Sequence, residues 1–370
     1  MRKVYLEDIC DIKIGRTPPR KQPQWFSESH GIKWASIKDM GNTGKYISQT
    51  SEFLTADAIK KFNIPIIPAG TLLMSFKLTV GRLGFTEYDM CSNEAIAQLP
   101  IKDPDIVDKN YLYYYLKNFN FGSLSSTSSI ATAVNSKTVK NISINLPPLD
   151  QQKKITNILG SLDEKIELNR RMNETLEQLG QALFRHYFVD KTKQNNGNIQ
   201  TIPLGKKFHP KRGRGLQARD MICGDTPVIS GGLKPAGFHN EANTTAPVIT
   251  ISASGANAGF VSVWGEPVWS ADSSYIDSTT IKYVYTYYLF LKNKQKEIYD
   301  MQTGSGQPHI YPKHIELLEI ADLSDCEFND FEQRVRPLFD MIHKNKKQIY
   351  SLSNIRDSLL PKLISGEIEV

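Results

Sequence analysis

The stretch Asp150 to Phe188, DQQKKITNILGSLDEKIELNRRMNETLEQLGQALFRHYF, constrains this chain most. It follows the pair Pro147-Pro148 and has no proline inside, so nothing in it forbids one continuous helix. Ile155, Leu159, Leu162, Ile166, Asn169, Asn173, Leu176, Gly180 and Leu183 fall alternately four and three apart. That is the 3.5-residue period of a seam on one side of a helix. A seam needs a partner, and the same chain supplies one. From Phe331 to Lys362, the residues Val335, Leu338, Ile342, Asn345, Ile349, Leu352, Ile355 and Leu359 repeat the stripe.

The two stripes match position by position, Leu162 with Leu338, Ile166 with Ile342 and Leu183 with Leu359, each 176 residues apart. The segments before them keep nearly the same offset: Gly84-Phe85 matches Gly259-Phe260, and Leu116-Lys117-Asn118 matches Leu291-Lys292-Asn293, both 175 residues on. Similarity at so long a period is a domain duplication rather than a solenoid. The chain therefore parses as two globular modules, each followed by one long helix.

At 370 residues, 40% hydrophobic and 23% charged, the chain can bury two ordinary cores. A net charge of +6 is compatible with a polyanionic partner. Cys10, Cys91, Cys223 and Cys326 are dispersed with no C-x-x-C pair, which suggests neither a zinc ribbon nor a disulfide framework and points to a reducing cytoplasm. The N-terminus lacks the apolar core of a signal peptide, and no stretch approaches the roughly 18 uninterrupted apolar residues of a membrane helix.

Along the chain, Gly15-Arg16-Thr17-Pro18-Pro19-Arg20-Lys21 is a rigid basic loop, and Lys33 to Asp39 interleaves basic, polar and aromatic residues, as suits phosphate and base-edge contact. Gly70 to Phe85 and Pro247 to Phe260 read as strands closing in glycine turns. Tyr111 to Asn118 and Tyr283 to Asn293 read as helices whose tyrosines pack a core. Polar loops follow, Ser123 to Ser129 and Gln302 to Gln307, and then strand-like runs at Val139 to Leu146 and Ile315 to Ile320. Asp190 to Gln200 has the composition of an exposed linker, and Lys206 to Arg214 is the densest basic stretch in the chain.

Patterns that would carry catalysis are missing. G-x-G-x-x-G, G-x-x-x-x-G-K-[ST], G-x-S-x-G and N-P-P-[YFW] are all absent. Asp163-Glu164-Lys165 imitates the tail of a nuclease motif but lies in the seam helix, and Pro312 separates His309 from His314, spoiling helical metal geometry.

With the motifs L-P-P-L-x-x-Q-x-K-I at Leu146 to Ile155 and L-L-P-K-L-I-S-G-E-I at Leu359 to Ile368, the whole chain resembles the specificity subunit of type I restriction-modification enzymes. The resemblance implies an α+β chain: two similar globular α/β target-recognition domains, each followed by a long α-helix, the two helices forming an antiparallel coiled coil. The boundaries expected are 1–148 and 201–326 for the domains, 149–189 and 327–370 for the helices, and 190–200 for the linker. It implies a non-catalytic chain that binds double-stranded DNA, docks two modification (adenine methyltransferase) subunits and works with restriction subunits. S-adenosylmethionine, ATP and Mg2+ would belong to those partners, in the cytoplasm, with no cofactor or metal in this chain. A helix of roughly 38 residues spans about 57 Å against a DNA turn of about 34 Å, enough to hold two modules over successive major grooves.

On this reading the DNA contacts are Arg16, Arg20, Lys38, Lys77, Arg82 and Lys137 in the first module, and Lys207, Arg212, Arg214, Lys234, Asn257 and Lys313 in the second. The seam and partner interface is Ile155, Leu159, Leu162, Ile166, Leu176, Leu183, Val335, Leu338, Ile342, Ile349, Leu352 and Leu359. The second module lacks a G-x-T-P entry, having Lys206 to Arg214 where the first has Gly15-Arg16-Thr17-Pro18, so the roles of that loop are not carried over to it. The alternatives are the recognition subunit of a related type II split-target enzyme and a coiled-coil scaffold that binds proteins only.

Overall fold

A computed structural model describes residues 2–41, 44–124, 135–190, 200–304 and 306–370. Most of the Ser123 to Ser129 loop and of the Asp190 to Gln200 linker lies outside the described residues, as does Ser305 of the Gln302 to Gln307 loop. The chain divides into two compact units, Met1–Glu167 with Ser351–Val370, and Leu168–Tyr350.

The two long helices are Leu149–Phe184, prolonged by a π-helical turn at Arg185–Asp190, and Asp325–Ser365. Each unit contains a stretch of both. In the first unit Ile155 and Leu159 are buried with Leu360, Leu363 and Ile364 in one core. In the second, Leu176 and Leu183 pack against a core containing Val335, Phe339 and Ile342. Polar residues fix the register: Asn169 Nδ2 donates to Gln348 Oε1 at 2.8 Å, and Asn345 Nδ2 to Asn173 Oδ1 at 2.9 Å. As the number rises on one helix it falls on the other, so the pairing is antiparallel, as the resemblance implies.

Ile166 is buried, while Leu162, Leu338, Ile349, Leu352 and Leu359 are half-buried along the seam. Ile355 is a correction, being 47% exposed. Its neighbour Arg356 turns inward, and its Nη1 meets Asp163 Oδ1 at 2.7 Å, with the two side chains only 14% and 11% exposed. Tyr114 Oη donates to the other oxygen of Asp163 at 2.7 Å. Burial raises the Asp163 carboxyl, but Arg356, Lys117 and Tyr114 outweigh it and hold the group below the usual carboxylate range. The Asp163-Glu164-Lys165 sequence is thus structural.

The C-terminal helix runs through Pro337 and Pro361, each lacking an N–H. An interior proline costs about 3 kcal/mol, whereas burying Phe331, Val335 and Phe339 beside the first gains roughly 1.5–3 kcal/mol apiece. Burial wins, and the helix continues.

The globular parts share one topology. The first unit has a five-stranded sheet in the order Lys13–Ile14, Ile96–Leu99, Leu72–Ser75, Leu83–Thr86, Tyr46–Ile47. The second repeats four of these as Lys211–Arg212, Ser273–Asp277, Val248–Ser252, Val261–Trp264. In both, a parallel pair stands alongside in another sheet: Ala35 opposite Ser92, and Ile229 opposite Ser270. Antiparallel pairs of Arg2–Tyr5 with Ser143–Leu146, and Thr201–Pro203 with Glu319–Ala321, close each unit.

The aromatic helices Lys109–Asn118 and Val284–Asn293 form as read, with their tyrosines in the cores. Asp108 caps the first through Tyr111 N at 2.9 Å. The second lacks a cap of its own, and Glu332 of the C-terminal helix accepts from Thr286 N at 2.9 Å and Oγ1 at 2.8 Å. Two readings need correcting. The runs Val139 to Leu146 and Ile315 to Ile320 begin in short helices, Ser136–Lys140 and Pro312–Glu316, before their strands. The counterpart of Gly259 is Gly81, not Gly84. Both have φ of 88°, and their N–H groups donate to Ser75 O at 2.9 Å and Ser252 O at 2.7 Å.

Candidate nucleic-acid interface

One turn appears in both units. Gly15 N donates to Ile96 O at 3.1 Å and Arg16 N to Ser92 O at 2.9 Å. A Cβ on Gly15 would lie 2.2 Å from two carbonyl oxygens, so only glycine lets the backbone come this close. In the second unit Gly213 N donates to Ser273 O at 2.8 Å and Arg214 N to Ser270 O at 2.9 Å, and a Cβ on Gly213 would meet Ser270 O at 2.5 Å. A tryptophan indole locks each turn: Trp34 Nε1 donates to Arg16 O at 3.2 Å, and Trp269 Nε1 to Arg214 O at 2.8 Å. The second module therefore possesses an equivalent turn, although it lacks the G-x-T-P letters. Gly215-Leu216 replaces Thr17-Pro18 after it, and the two tryptophans come from opposite members of the parallel pair, which hid the match.

The Arg16 and Arg214 side chains are exposed at the ends of strands in the shared sheets. Arg16 spares one nitrogen for Phe62 O at 3.1 Å, and Arg214 has no side-chain partner among the described residues. A carboxylate stands next to each turn. Glu94 accepts from Thr17 Oγ1; Asp272 accepts from Ser254 Oγ and lies 3.7 Å from Arg212 Nη2.

More of the expected contacts collect at that same end of the first unit. Lys38 follows the strand ending at Ala35, Lys77 follows the strand ending at Ser75, and Arg82 precedes the returning strand. Lys38 and Lys77 are exposed, whereas half-buried Arg82 gives Nη1 to Ile37 O at 2.6 Å and so ties the hairpin to the Ile37–Gly41 helix. Asp39 braces that helix, accepting from Ser36 and Ser51 backbone and hydroxyl groups. Burial pushes its carboxyl up, and those hydrogen bonds override it to hold the group below its usual range. In the second unit Lys234 is exposed in the loop after Ile229, beside a small hollow lined by Ser252, Phe260 and Trp264. Half-buried Asn257 donates to Gly231 O at 3.4 Å, and the Arg212 guanidinium lies 5.7 Å from the Tyr311 ring centre. Lys137 and Lys313 are exposed at equivalent places in the short helices Ser136–Lys140 and Pro312–Glu316.

Two expected contacts are spoken for. Arg20 Nη1 reaches both oxygens of Glu52, at 2.7 and 2.9 Å, with the guanidinium over Phe26 and Trp34. Lys207 Nζ pairs with Asp322 at 2.9 Å, near Phe328 of the C-terminal helix. Their charges are matched within the chain. Leu78, unremarked in the sequence, stands 95% exposed between Lys77 and Thr79. No group of three His, Cys, Asp or Glu among the described residues is arranged to hold a metal, and no described helix is long and apolar enough to cross a membrane.

Comparison with known proteins agrees with this arrangement. Residues 1–178 match the family described as type I restriction modification DNA specificity domain. The specificity subunit of the type I restriction enzyme MjaIX, from Methanocaldococcus jannaschii, is 26% identical over 99% of this chain and 93% of its own length. That of the type I restriction enzyme HindI, from Haemophilus influenzae, is 39% identical over 24% of this chain and 18% of its own. A crystal structure of a type I restriction-modification S subunit from M. genitalium shares the fold, with a TM-score of 0.63 at 20% identity, covering 98% of this chain and 95% of its own.

Proposed function

We propose that this chain, a relative of type I restriction-modification specificity subunits, is the DNA-reading, non-catalytic subunit of such a complex. Each unit reads one half of a split target, and the paired helices set the spacing and dock two adenine-N6 methyltransferase subunits. The observation that carries the reading is the repeated Gly-Arg turn, built on the same strand ends in two units whose surrounding side chains differ. Equivalent mounts with unlike side chains suit an asymmetric target, since two identical readers would meet a palindrome. Free cations beside the turns supply the phosphate attraction, while short polar groups such as Asn257 are suited to base edges.

Under this proposal the chemistry lies in the partners. S-adenosylmethionine serves the modification subunits, ATP and Mg2+ the restriction subunits, and the assembly works in the cytoplasm. The test is methylome sequencing of a host without other methyltransferases, expressing the chain with its modification subunit. N6-methyladenine at one split motif, lost when the chain is omitted, is the expected result. Absence of any motif from a soluble, co-purifying pair would overturn the reading in favour of a protein-binding scaffold.

A further inference from the structure

We propose that Leu78 is a wedge, a side chain that enters the stack of a DNA duplex and parts one base step beneath the first unit. The proposal rests on the DNA-reading function above and adds to it a residue and a mode of contact. Leu78 is 95% exposed, more than any other large apolar side chain described. Its φ is 60°, in the left-handed region that side chains with a Cβ disfavour. The corresponding hairpin of the second unit, one residue longer between Ser252 and Gly259, has its left-handed residue at the same distance from the first strand, and there it is Gly255 with φ of 81°, the residue that costs least in that conformation. The first unit thus holds a leucine where the fold suits a glycine, and packing explains nothing about it.

Its mount is rigid. Ser75 Oγ bonds Thr79 O and accepts from Arg82 N at 3.0 Å, and Gly81 N donates to Ser75 O at 2.9 Å. The Phe121 ring lies so close under Gly81 that a Cβ there would come within 2.6 Å, and Arg82 ties the hairpin to Ile37 O. A strained residue that its surroundings hold in place is a mark of function.

The company Leu78 keeps decides the partner. The segment Phe76 to Arg82 carries Lys77 and Arg82 and no carboxylate, and Phe76 is buried. One apolar tip between cations offers no contiguous apolar area for a protein surface. It does match a duplex, where phosphates take the cations and an aliphatic side chain slips between bases and unstacks them.

The experiment uses the full chain co-purified with its modification subunit. The probes are duplexes bearing the split motif from the methylome, with 2-aminopurine, whose emission stacking quenches, at each half-site position in turn except the methylated adenine. The wild-type complex brightens one step. Leu78→Gly keeps the hairpin, because glycine favours its backbone angle, yet loses that signal and binds about tenfold more weakly, whereas Leu78→Met retains both. Equal brightening and affinity for Leu78→Gly would overturn the wedge. So would a Leu78→Gly chain that no longer co-purifies with the modification subunit but whose residual complex brightens the probe as wild type does, since Leu78 would then be a protein contact. A wild-type complex that shifts no duplex at all would instead overturn the DNA-reading function itself.

Discussion

Arg16 and Arg214 differ from Lys207 in one respect that the sequence conceals, namely what else each charge can reach. Among the described residues Arg214 is exposed without a side-chain partner and Arg16 gives one nitrogen to Phe62 O, whereas the Lys207 ammonium is bonded to Asp322. A cation released to phosphate exchanges condensed counterions for contact, so each such residue adds about one to the slope of affinity against salt. Arg16→Ala and Arg214→Ala should each weaken binding to the target duplex by about 1–3 kcal/mol, and either lower the salt slope by about one or relax the motif at one base. Lys207→Ala should leave affinity and slope unchanged. Titrations between low and physiological salt separate these outcomes, and equal effects from all three would refute the distinction. Residue types alone marked Arg16, Arg20, Lys207 and Arg214 alike, because the partners that neutralise Arg20 and Lys207 lie 32 and 115 residues away in sequence.

Among the elements, the C-terminal helix has a titratable weak point. His343 packs against the Trp264-Gly265 turn so tightly that a Cβ on Gly265 would lie 2.2 Å from its ring, and its buried Nε2 has no partner among the described residues. Burial first, then Lys346 and Lys347, bring its pKa down to about 4 from an ordinary value near 6.5. The imidazole is therefore neutral in the fold and takes a proton more readily when unfolded. Its contribution is full above pH 6.5 and is lost as pH falls toward 4, reaching roughly 2 kcal/mol by pH 5. Urea midpoints should fall between pH 7 and pH 5 for the wild type and stay nearly level for His343→Gln. A matching fall in the variant would assign the effect elsewhere. Asp39, Asp163 and Asp277, all held low, lose their contributions only below the ordinary carboxylate range. Helices of this kind were legible in sequence because a stripe of 3.5-residue period can be read from the side chains themselves. The sheets were not. Their strands run two to five residues, too short to show alternation, and the pairing joins segments as distant as Lys13 and Gln98 through backbone bonds that no side-chain pattern records. The same limit explains the misplaced glycine match, since Gly84-Phe85 repeats the letters of Gly259-Phe260 while Gly81 repeats the hydrogen bond.

For the molecule as a whole, the chain passes between its two units at Glu167-Leu168 and at Tyr350-Ser351, and both passages lie inside long helices. A change of helix length there changes the chain that joins the two units, whereas a change in a surface loop does not. Seven residues added at each passage, repeating the 3.5-residue stripe, keep the seam in phase and lengthen each helix by about 10 Å. The seam stays filled on either side, since Ile155, Leu159, Leu360 and Leu363 belong to the first unit and Val335, Phe339 and Ile342 to the second. If the helices set the spacing, the methylome of a host carrying this variant should show the same two half-sites separated by a longer run of unspecified bases. An insertion on one helix only should leave seven residues with no facing stretch on the other helix, between the Asp163–Arg356 pair and the Asn169–Gln348 pair, and lose methylation altogether. An unchanged spacer from a folded double insertion would mean that the modification subunits, and not this chain, measure the distance between half-sites.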